Sequence, residues 1–528
     1  MSVNTRIAKA YVILITTSVI GHILSLFKEV MVAKYFGISN LMDAFYAALA
    51  LPNLITGVIA SAFGLVFLPI FVKYKTVNKE EGNRIAAIAV NYISLLLALT
   101  SVLLFIFAKQ CVHYIFPGLD GNTAVITVKI LKILSVTVFF TGIIGISTWI
   151  LNAYEHFFAP SFSQIFITIS ILAFLFLFVD KLGVYVFAWG TVAGLAVQLV
   201  FILPFMKKEG YRHYWDFNLN HPAIEQAVKL SFFLVILNFI SGLTPLINRI
   251  MASWLPTGSI AALAYADKLV QVPLIIFSGS IATAIYPFFA KQLAENKIDD
   301  MRDTLATSIK MTGFIFIPMA IILMILAKPI IQVLFQRGVF DEQATSITAR
   351  IFVFYALQLF SNYALVVMIR LMFVFQDMKS IFKISVITVI LNAVLNLVFM
   401  KLISPPAAGI ALASSITCLL SAVLYFVYLK KRIHNLHGLA IIRSLFNTAM
   451  LGIISGITVF IAYEYISVLV TNRFILTRLL IICGAVIPGV AVFGLLSVIF
   501  RVEEAEKIYV LIKNKMQSVL KFGKINNL

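Results

Sequence analysis

Long, uninterrupted apolar runs recur along the whole chain, and they constrain its fold more than any other feature. Ile85–Ala108 and Gly409–Leu429 are two of them. Each is long enough to cross a hydrocarbon layer ~30 Å thick at about 1.5 Å of rise per residue. Inside lipid there is no water to satisfy backbone N–H and C=O groups, so such a run must bond to itself as a helix. Hydrophobic residues make up 61% of the 528 positions and charged residues 12%, where a soluble domain carries roughly 25% charged residues. A water-soluble protein is thereby excluded, and the expected class is an all-α polytopic membrane protein.

The hydropathy pattern predicts about fourteen spans: 10–35, 43–72, 85–108, 124–152, 160–180, 183–206, 223–254, 259–289, 304–327, 343–375, 381–402, 408–429, 441–467 and 475–500. The net charge of +19 would suggest nucleic acid in a soluble protein. Here most Lys and Arg sit in alternate short links between the apolar runs. They therefore read as topology signals facing an anionic leaflet, and nucleic-acid binding is not expected. The bias places both termini on the cytoplasmic side of a bacterial inner membrane. Cys111, Cys418 and Cys483 show no metal-ligand spacing, and no disulfide is expected. No phosphate-binding loop, zinc-protease motif or nucleophile elbow is present, so neither a cofactor nor catalysis is expected.

Two pairs of segments resemble each other at a nearly constant offset: Leu65–Lys73 with Thr283–Lys291, and Gly183–Lys208 with Pro406–Lys431. Repeated halves point to two six-helix bundles, an arrangement common in transporters. The expected organisation is an N-terminal lobe at 1–208, a C-terminal lobe at 209–432, two additional helices at 433–500 and a basic cytoplasmic tail at 501–528. Pro52, Gly57, Gly64 and Pro69 interrupt one span; Gly242, Pro245, Pro273, Gly279 and Pro287 interrupt the related region of the second half. Such breaks persist in a membrane where the freed carbonyls face a cavity or another helix.

Ionisable residues within the spans are expensive and so informative. His22, Lys28 and Glu29 lie in the first span, and Asp43 opens the second. Lys28 and Glu29 are adjacent and do not share a helical face. One is expected to point to a cavity and the other to a neighbouring helix. Asp43 either caps its own span or has another structural part, or it touches a ligand. Arg249, deep in another span, needs an anionic ligand or a distant partner such as Asp267, which adjoins Lys268. Arg370 and Asp377 lie near a helix-pair end and suit an ion pair or snorkelling. A cavity holding Lys28, Arg249 and Lys268, with His22 nearby, would attract the phosphate of an amphiphile through charge-assisted hydrogen bonds. Internal salt bridges are the rival outcome. Asn392 and Asn396 share a face and, with Asn248, offer either oxygens to a cation or hydrogen bonds between helices.

Eight stretches carry a family resemblance: Phe27-Lys-Glu-Val, Asp43-Ala-Phe-Tyr, Leu51-Pro-Asn, Phe67-Leu-Pro, Leu255-Pro-Thr-Gly-Ser, Tyr265-Ala-Asp-Lys, Phe335-Gln-Arg-Gly and Phe375-Gln-Asp. In this order they make the chain similar to the MurJ/MviN family of the MATE-like superfamily of flippases and exporters, from about Ser18 to about Lys431 and more loosely beyond. The resemblance implies a fourteen-helix, two-lobed flippase working by alternating access. Its cargo would be a polyprenyl-pyrophosphate-linked saccharide, in the main case lipid II, moved from the inner to the outer leaflet. The family's functional basic residue falls on Lys28, its following acid on Glu29, its Asp before the second helix on Asp43, and its later basic residue on Lys268. Pro52 and Asn53 belong to a motif expected to be structural or to act in gating. The last two helices would form a groove for the lipid tail.

The departures from the family pattern are specific. An arginine usual in the first helix is His22 here, and an arginine pair is replaced by Thr56 and Gly57. Acids linked to a sodium site are replaced by Asn248 and Asn396, with Arg249 beside the first. These changes leave open a capsule, exopolysaccharide or O-antigen precursor as cargo, and either an ion gradient or the membrane potential as the drive. A drug or cation exporter would need an acidic cavity, and the residues read here are basic.

Overall fold

The structure, a computed structural model, describes residues 3–218, 221–470, 474–507 and 510. Of 3–15, 60–63, 65 and 275–284 it describes the backbone alone. Apart from 501–507 and 510, the tail expected at 501–528 lies outside the described residues. The helices in chain order are α1 (Val3–Phe36), α2 (Asn40–Val77), α3 (Lys79–Ile106), α4 (Ala108–Ile115), α5 (Gly121–Ala153), α6 (Phe158–Ser163), α7 (Ile165–Leu182), α8 (Tyr185–Lys208) and α9 (Pro222–Ala252). They continue as α10 (Ser259–Ala294), α11 (Ile298–Ile325), α12 (Ala327–Phe335), α13 (Glu342–Ala356), α14 (Gln358–Val374), α15 (Met378–Leu402), α16 (Pro406–Ile433), α17 (Gly438–Leu469) and α18 (Ile475–Ile499). Among the described residues there is no strand.

Thirteen segments among the described residues are long and apolar enough to cross a membrane. They coincide with thirteen of the spans read from the sequence, and the remaining one, 259–289, falls on α10, whose central side chains are not described. The all-helical membrane fold is therefore as expected. Two short helices, α4 and α12, occupy stretches that the hydropathy pattern treats as links or span ends. The element series also repeats. The starts of α2, α3, α4, α5 and α8 (Asn40, Lys79, Ala108, Gly121, Tyr185) run in step with those of α10, α11, α12, α13 and α16 (Ser259, Ile298, Ala327, Glu342, Pro406).

Side chains at the helix ends satisfy donors that the helices leave open. Asn78 accepts from the N–H groups of Glu80 and Glu81 to start α3, and Asp120 accepts from Thr123 N–H at 2.8 Å to start α5. That bond, with a second from the Thr123 hydroxyl, holds the Asp120 carboxyl below its ordinary range. His221 accepts from Ala223 N–H to start α9, with Pro222 at its first position, where no N–H is needed.

The chain forms two compact units. One comprises Met1–Tyr265, Phe335–Ala344 and Ser385–Ile410, and the other Ala266–Leu334, Thr345–Ile384 and Ala411–Leu528. In the first unit α8 lies against α7 through Gly190 and Gly194, four residues apart. A Cβ at either would meet backbone of α7, Ile171 Cα at 2.8 Å and Ile167 Cα at 2.6 Å, so only glycine permits this approach. The link after α8 is strapped across α3: Asn83 donates to Gly210 O, Asn91 to Tyr214 O and Asp216 O, and Tyr92 to Phe217 O. Arg84 closes the strap on Asp216 at 2.5 Å and holds that carboxyl below its ordinary range.

In the second unit the Phe316 and Tyr363 rings stack with centroids 3.5 Å apart. The Tyr363 hydroxyl lies 2.6 Å from Pro273 O and 2.8 Å from Leu274 O, beside a proline that interrupts α10. Helices α17 and α18 are joined by Ser455 Oγ donating to Gly489 O at 2.8 Å, a bond between helices of the kind that lipid favours. An apolar cavity of about 490 Å³ lies among α11, α17 and α18, bounded by Phe314, Pro318, Ile322, Val486 and Phe493.

Candidate functional site

Several of the motif residues gather at one end of the first unit. Asp43 is 5% exposed and sits one turn inside α2. Its two carboxylate oxygens accept from Gly258 N–H at 2.5 Å and Ala261 N–H at 2.8 Å. These are orphan donors at the start of α10, where the helix dipole also favours an anion. Asp43 has the capping, structural part expected of it, but the helix it caps is corrected. Helix α2 begins after Ser39, and the carboxylate caps α10, far away in sequence. Gly258 makes this possible: its φ is +89°, and a Cβ there would meet Ile38 O at 2.4 Å.

Tyr265 completes the cluster. Its hydroxyl donates to Gly37 O at 3.2 Å, and its ring meets Tyr46, Phe335 and Phe340 at 6.0, 5.3 and 5.9 Å. Val339 N–H donates to Lys34 O at the end of α1. The motifs around Asp43, Gly258, Tyr265 and Phe335 are therefore read together as one interhelical joint.

Lys28 Nζ lies 2.6 Å from Glu29 Oε1, and Tyr46 Oη donates to Glu29 Oε2 at 3.1 Å. Glu29 is buried and Lys28 half-buried. Adjacent positions on a helix do not face each other, but the four-carbon Lys stem closes the gap, which corrects the expectation that the two diverge. The other expectation, that one of them meets a neighbouring helix, holds for Glu29 through Tyr46. Lys28 is thus not a solitary cation. Arg249 is half-buried in the last turn of α9 and, like Asp267 and Lys268 of α10, is engaged rather than free. His22 Nδ1 donates to Ser18 O of its own helix at 2.5 Å.

Asn248, Asn392 and Asn396 do meet. Asn396 Nδ2 donates to Asn248 Oδ1 at 2.8 Å and to Asn392 Oδ1 at 3.2 Å, and Asn392 and Asn396 are fully buried. The bond between helices, one of the two readings open for them, is formed. Among the described residues no cluster of His, Cys, Asp or Glu could hold a metal ion. Asp377 is a clamp at the turn before α15. It accepts from Tyr428 Oη, from Arg432 Nη1 at 2.5 Å and from Ser380 N–H at 3.2 Å. Burial pushes its carboxyl up, but these donors outweigh burial and hold it below the ordinary range. Arg370 lies half-buried on α14.

Pro52 is buried inside α2, and the exposed Asn53 faces an open cavity of about 750 Å³ lined by residues of α2, α5, α7 and α8, all in the first unit. The sequence reading did not identify this cavity. The available signal was the spacing of Thr137, Thr141 and Thr148, which places three hydroxyls on one face of α5.

Taken together, the helical series, its repeat and the buried ionisable groups define a membrane-embedded transporter fold of the MATE-like type. A multidrug resistance MATE family transporter of the MOP superfamily, in an inward-facing conformation, superposes with a TM-score of 0.69 over 79% of this chain and 96% of its own, at 12% identity. A structure described as lipid II flippase MurJ, inward closed conformation, superposes with a TM-score of 0.76 over 93% of this chain and 98% of its own, at 23% identity. The chain belongs to the family described as lipid II flippase MurJ, whose family model matches residues 32–511. A probable lipid II flippase MurJ of Buchnera aphidicola subsp. Acyrthosiphon pisum is 28% identical over 75% of this chain and 79% of its own. One from Rickettsia prowazekii is 26% identical over 91% and 95%.

Proposed function

We propose that this protein is a flippase that carries lipid II, a polyprenyl-pyrophosphate-linked saccharide, from the inner to the outer leaflet of the bacterial inner membrane. The observation that carries the reading is the family match over residues 32–511, which runs through every motif gathered around Asp43 and Tyr265. Both termini are cytoplasmic in this reading, and lobes 1–208 and 209–432 alternate in access. No covalent bond changes, so the protein acts as a transporter and not as an enzyme. Lys28, Arg249 and Lys268, with His22, receive the pyrophosphate. Glu29 holds Lys28 until a phosphate oxygen, an equivalent anionic acceptor, takes its place. Pro52, Asn53, Asp267, Arg370 and Asp377 position or gate. The last two helices, with the apolar cavity beside them, hold the prenyl chain.

The anionic headgroup moves outward down an inside-negative potential, worth about 2.3 kcal/mol per charge per 100 mV. That supports the potential as the drive, since Asn248, Asn392 and Asn396 offer no carboxylate for a coupling ion. The neutral residues Thr56 and Gly57 favour one second reading: an exopolysaccharide, capsule or O-antigen precursor as cargo.

The test is complementation of bacteria depleted of their own lipid II flippase. Rescue is expected, as is loss of rescue in the triple variant Lys28→Gln, Arg249→Gln, Lys268→Gln. Failure of the wild-type protein despite normal membrane insertion would sink the lipid II reading. Mass spectrometry of the co-purified lipid would then separate it from the second one.

A further inference from the structure

The open cavity lined by α2, α5, α7 and α8 has a chemistry unlike that of the cationic residues. No charged side chain lines it. Six threonines do: Thr56, Thr137, Thr141, Thr148, Thr168 and Thr191. Three of them direct the hydroxyl proton to their own helix, Thr56 to Pro52 O at 2.9 Å, Thr137 to Leu134 O at 2.5 Å and Thr191 to Phe187 O at 2.6 Å. Their oxygens are left as acceptors.

Gln198 adds a fourth acceptor. It is 3% exposed, its Nε2 donates to Ser163 Oγ at 3.1 Å, and its Oε1 is buried with no hydrogen-bond partner. A buried carbonyl left unpaired costs about 1–3 kcal/mol, and this one belongs to a side chain that lines the cavity. Trp149 forms another part of the wall. Its indole is pressed so closely on Gly64 that a Cβ there would fall 1.8 Å from Nε1. The volume of about 750 Å³ lies within the roughly 300–1,000 Å³ of small-molecule sites.

Asn53 and Gln164 also line the space and add amide donors, but an anion would find no countercharge here. A bare metal ion would need closely set oxygens and usually a carboxylate, and the space is far too wide. An uncharged group rich in O–H and N–H donors meets complementary acceptors and an aromatic wall. We infer that this cavity receives the saccharide of the lipid-linked cargo, recognised by neutral hydrogen bonds, while the pyrophosphate stays outside it. Thr141, Thr148, Thr168, Gln198 and Trp149 are then the residues that set sugar specificity. The inference rests on the flippase reading and deepens it.

The experiment compares two probes on the full-length protein in lipid nanodiscs: lipid II, and undecaprenyl pyrophosphate, which has the lipid and phosphates without the sugar. The variants are Thr141→Val/Thr148→Val/Thr168→Val, which is nearly isosteric, and Gln198→Met. Wild type is expected to prefer lipid II. Each variant is expected to lose about tenfold or more in lipid II affinity, the size of one or two hydrogen bonds, and to change less than about twofold on the sugar-free lipid. Retained binding of the sugar-free lipid also reports that the variant is folded. Unchanged lipid II affinity, or equal loss on both probes, overturns the inference. A wild type that binds both probes equally overturns it too but leaves flipping standing. A wild type that binds neither refutes the flippase reading, and the inference with it.

Discussion

Removing the Asp43 carboxylate is the sharpest test of how the first unit is held together. It accepts two backbone N–H groups of α10 at 2.5 and 2.8 Å while only 5% exposed. A hydrogen bond to a charged group contributes about 1.5–3 kcal/mol, and each buried N–H left without an acceptor costs about 1–3 kcal/mol. The two bonds share one carboxylate, so their contributions do not simply add. Asp43→Ala is expected to lose about 3–5 kcal/mol, within the range for breaking a buried charged network. Asp43→Asn keeps one acceptor oxygen but turns an NH₂ toward the other donor, so about 1.5–3 kcal/mol is expected. The assay is reversible unfolding in mixed detergent micelles by titration with SDS, because heating a polytopic protein is irreversible and reports a rate. The predicted order of stability is wild type, then Asp43→Asn, then Asp43→Ala. An Asp43→Ala protein within about 0.5 kcal/mol of wild type would refute the capping argument, as would an Asn variant weaker than the Ala variant.

Three further outcomes follow from the same geometry. Tyr46→Phe removes one donor from the buried Glu29 carboxylate and leaves the Lys28 pair, so the titration should show a loss of about 1.5–3 kcal/mol. Gly190→Val or Gly194→Val drives a side chain into α7 backbone that no rotamer change can clear, and each should cost about 1–3 kcal/mol or more; Gly57→Ala, with open space around it, should cost nothing. Glu503 is held at about 2, below its ordinary 4.5, by hydrogen bonds from Lys310 and Lys507. A depressed carboxyl stabilises fully above its unfolded value and loses that contribution as pH falls. Acid titration of wild type against Glu503→Gln should therefore diverge above about pH 4.5 and converge toward pH 2.

The helices were legible because hydrophobicity and backbone satisfaction in lipid leave few alternatives. Spans such as 124–152 and 475–500 lie within a few residues of α5 and α18. The role of Asp43 was only half legible. A carboxylate beside a helix start reads as a cap, but its partner is set by a fold that brings Gly258 to it from 215 residues further along the chain. The Lys28 and Glu29 pair was misread because helical spacing describes Cβ directions and not the reach of a long flexible stem. The threonine-lined cavity was passed over because each hydroxyl, taken alone, is ordinary in a membrane helix. Its meaning comes from four helices lining one space.

The Tyr363 hydroxyl in the second unit has one proton and two carbonyls within reach, Pro273 O at 2.6 Å and Leu274 O at 2.8 Å. One turn earlier, Pro273 has no N–H to offer Leu269 O, so α10 already lacks one rung of its ladder. A slight flexing of the helix there would let the hydroxyl shift its hydrogen bond from one oxygen to its neighbour. The tyrosine then works as a swivel, letting the rod change curvature while its polar bookkeeping stays balanced.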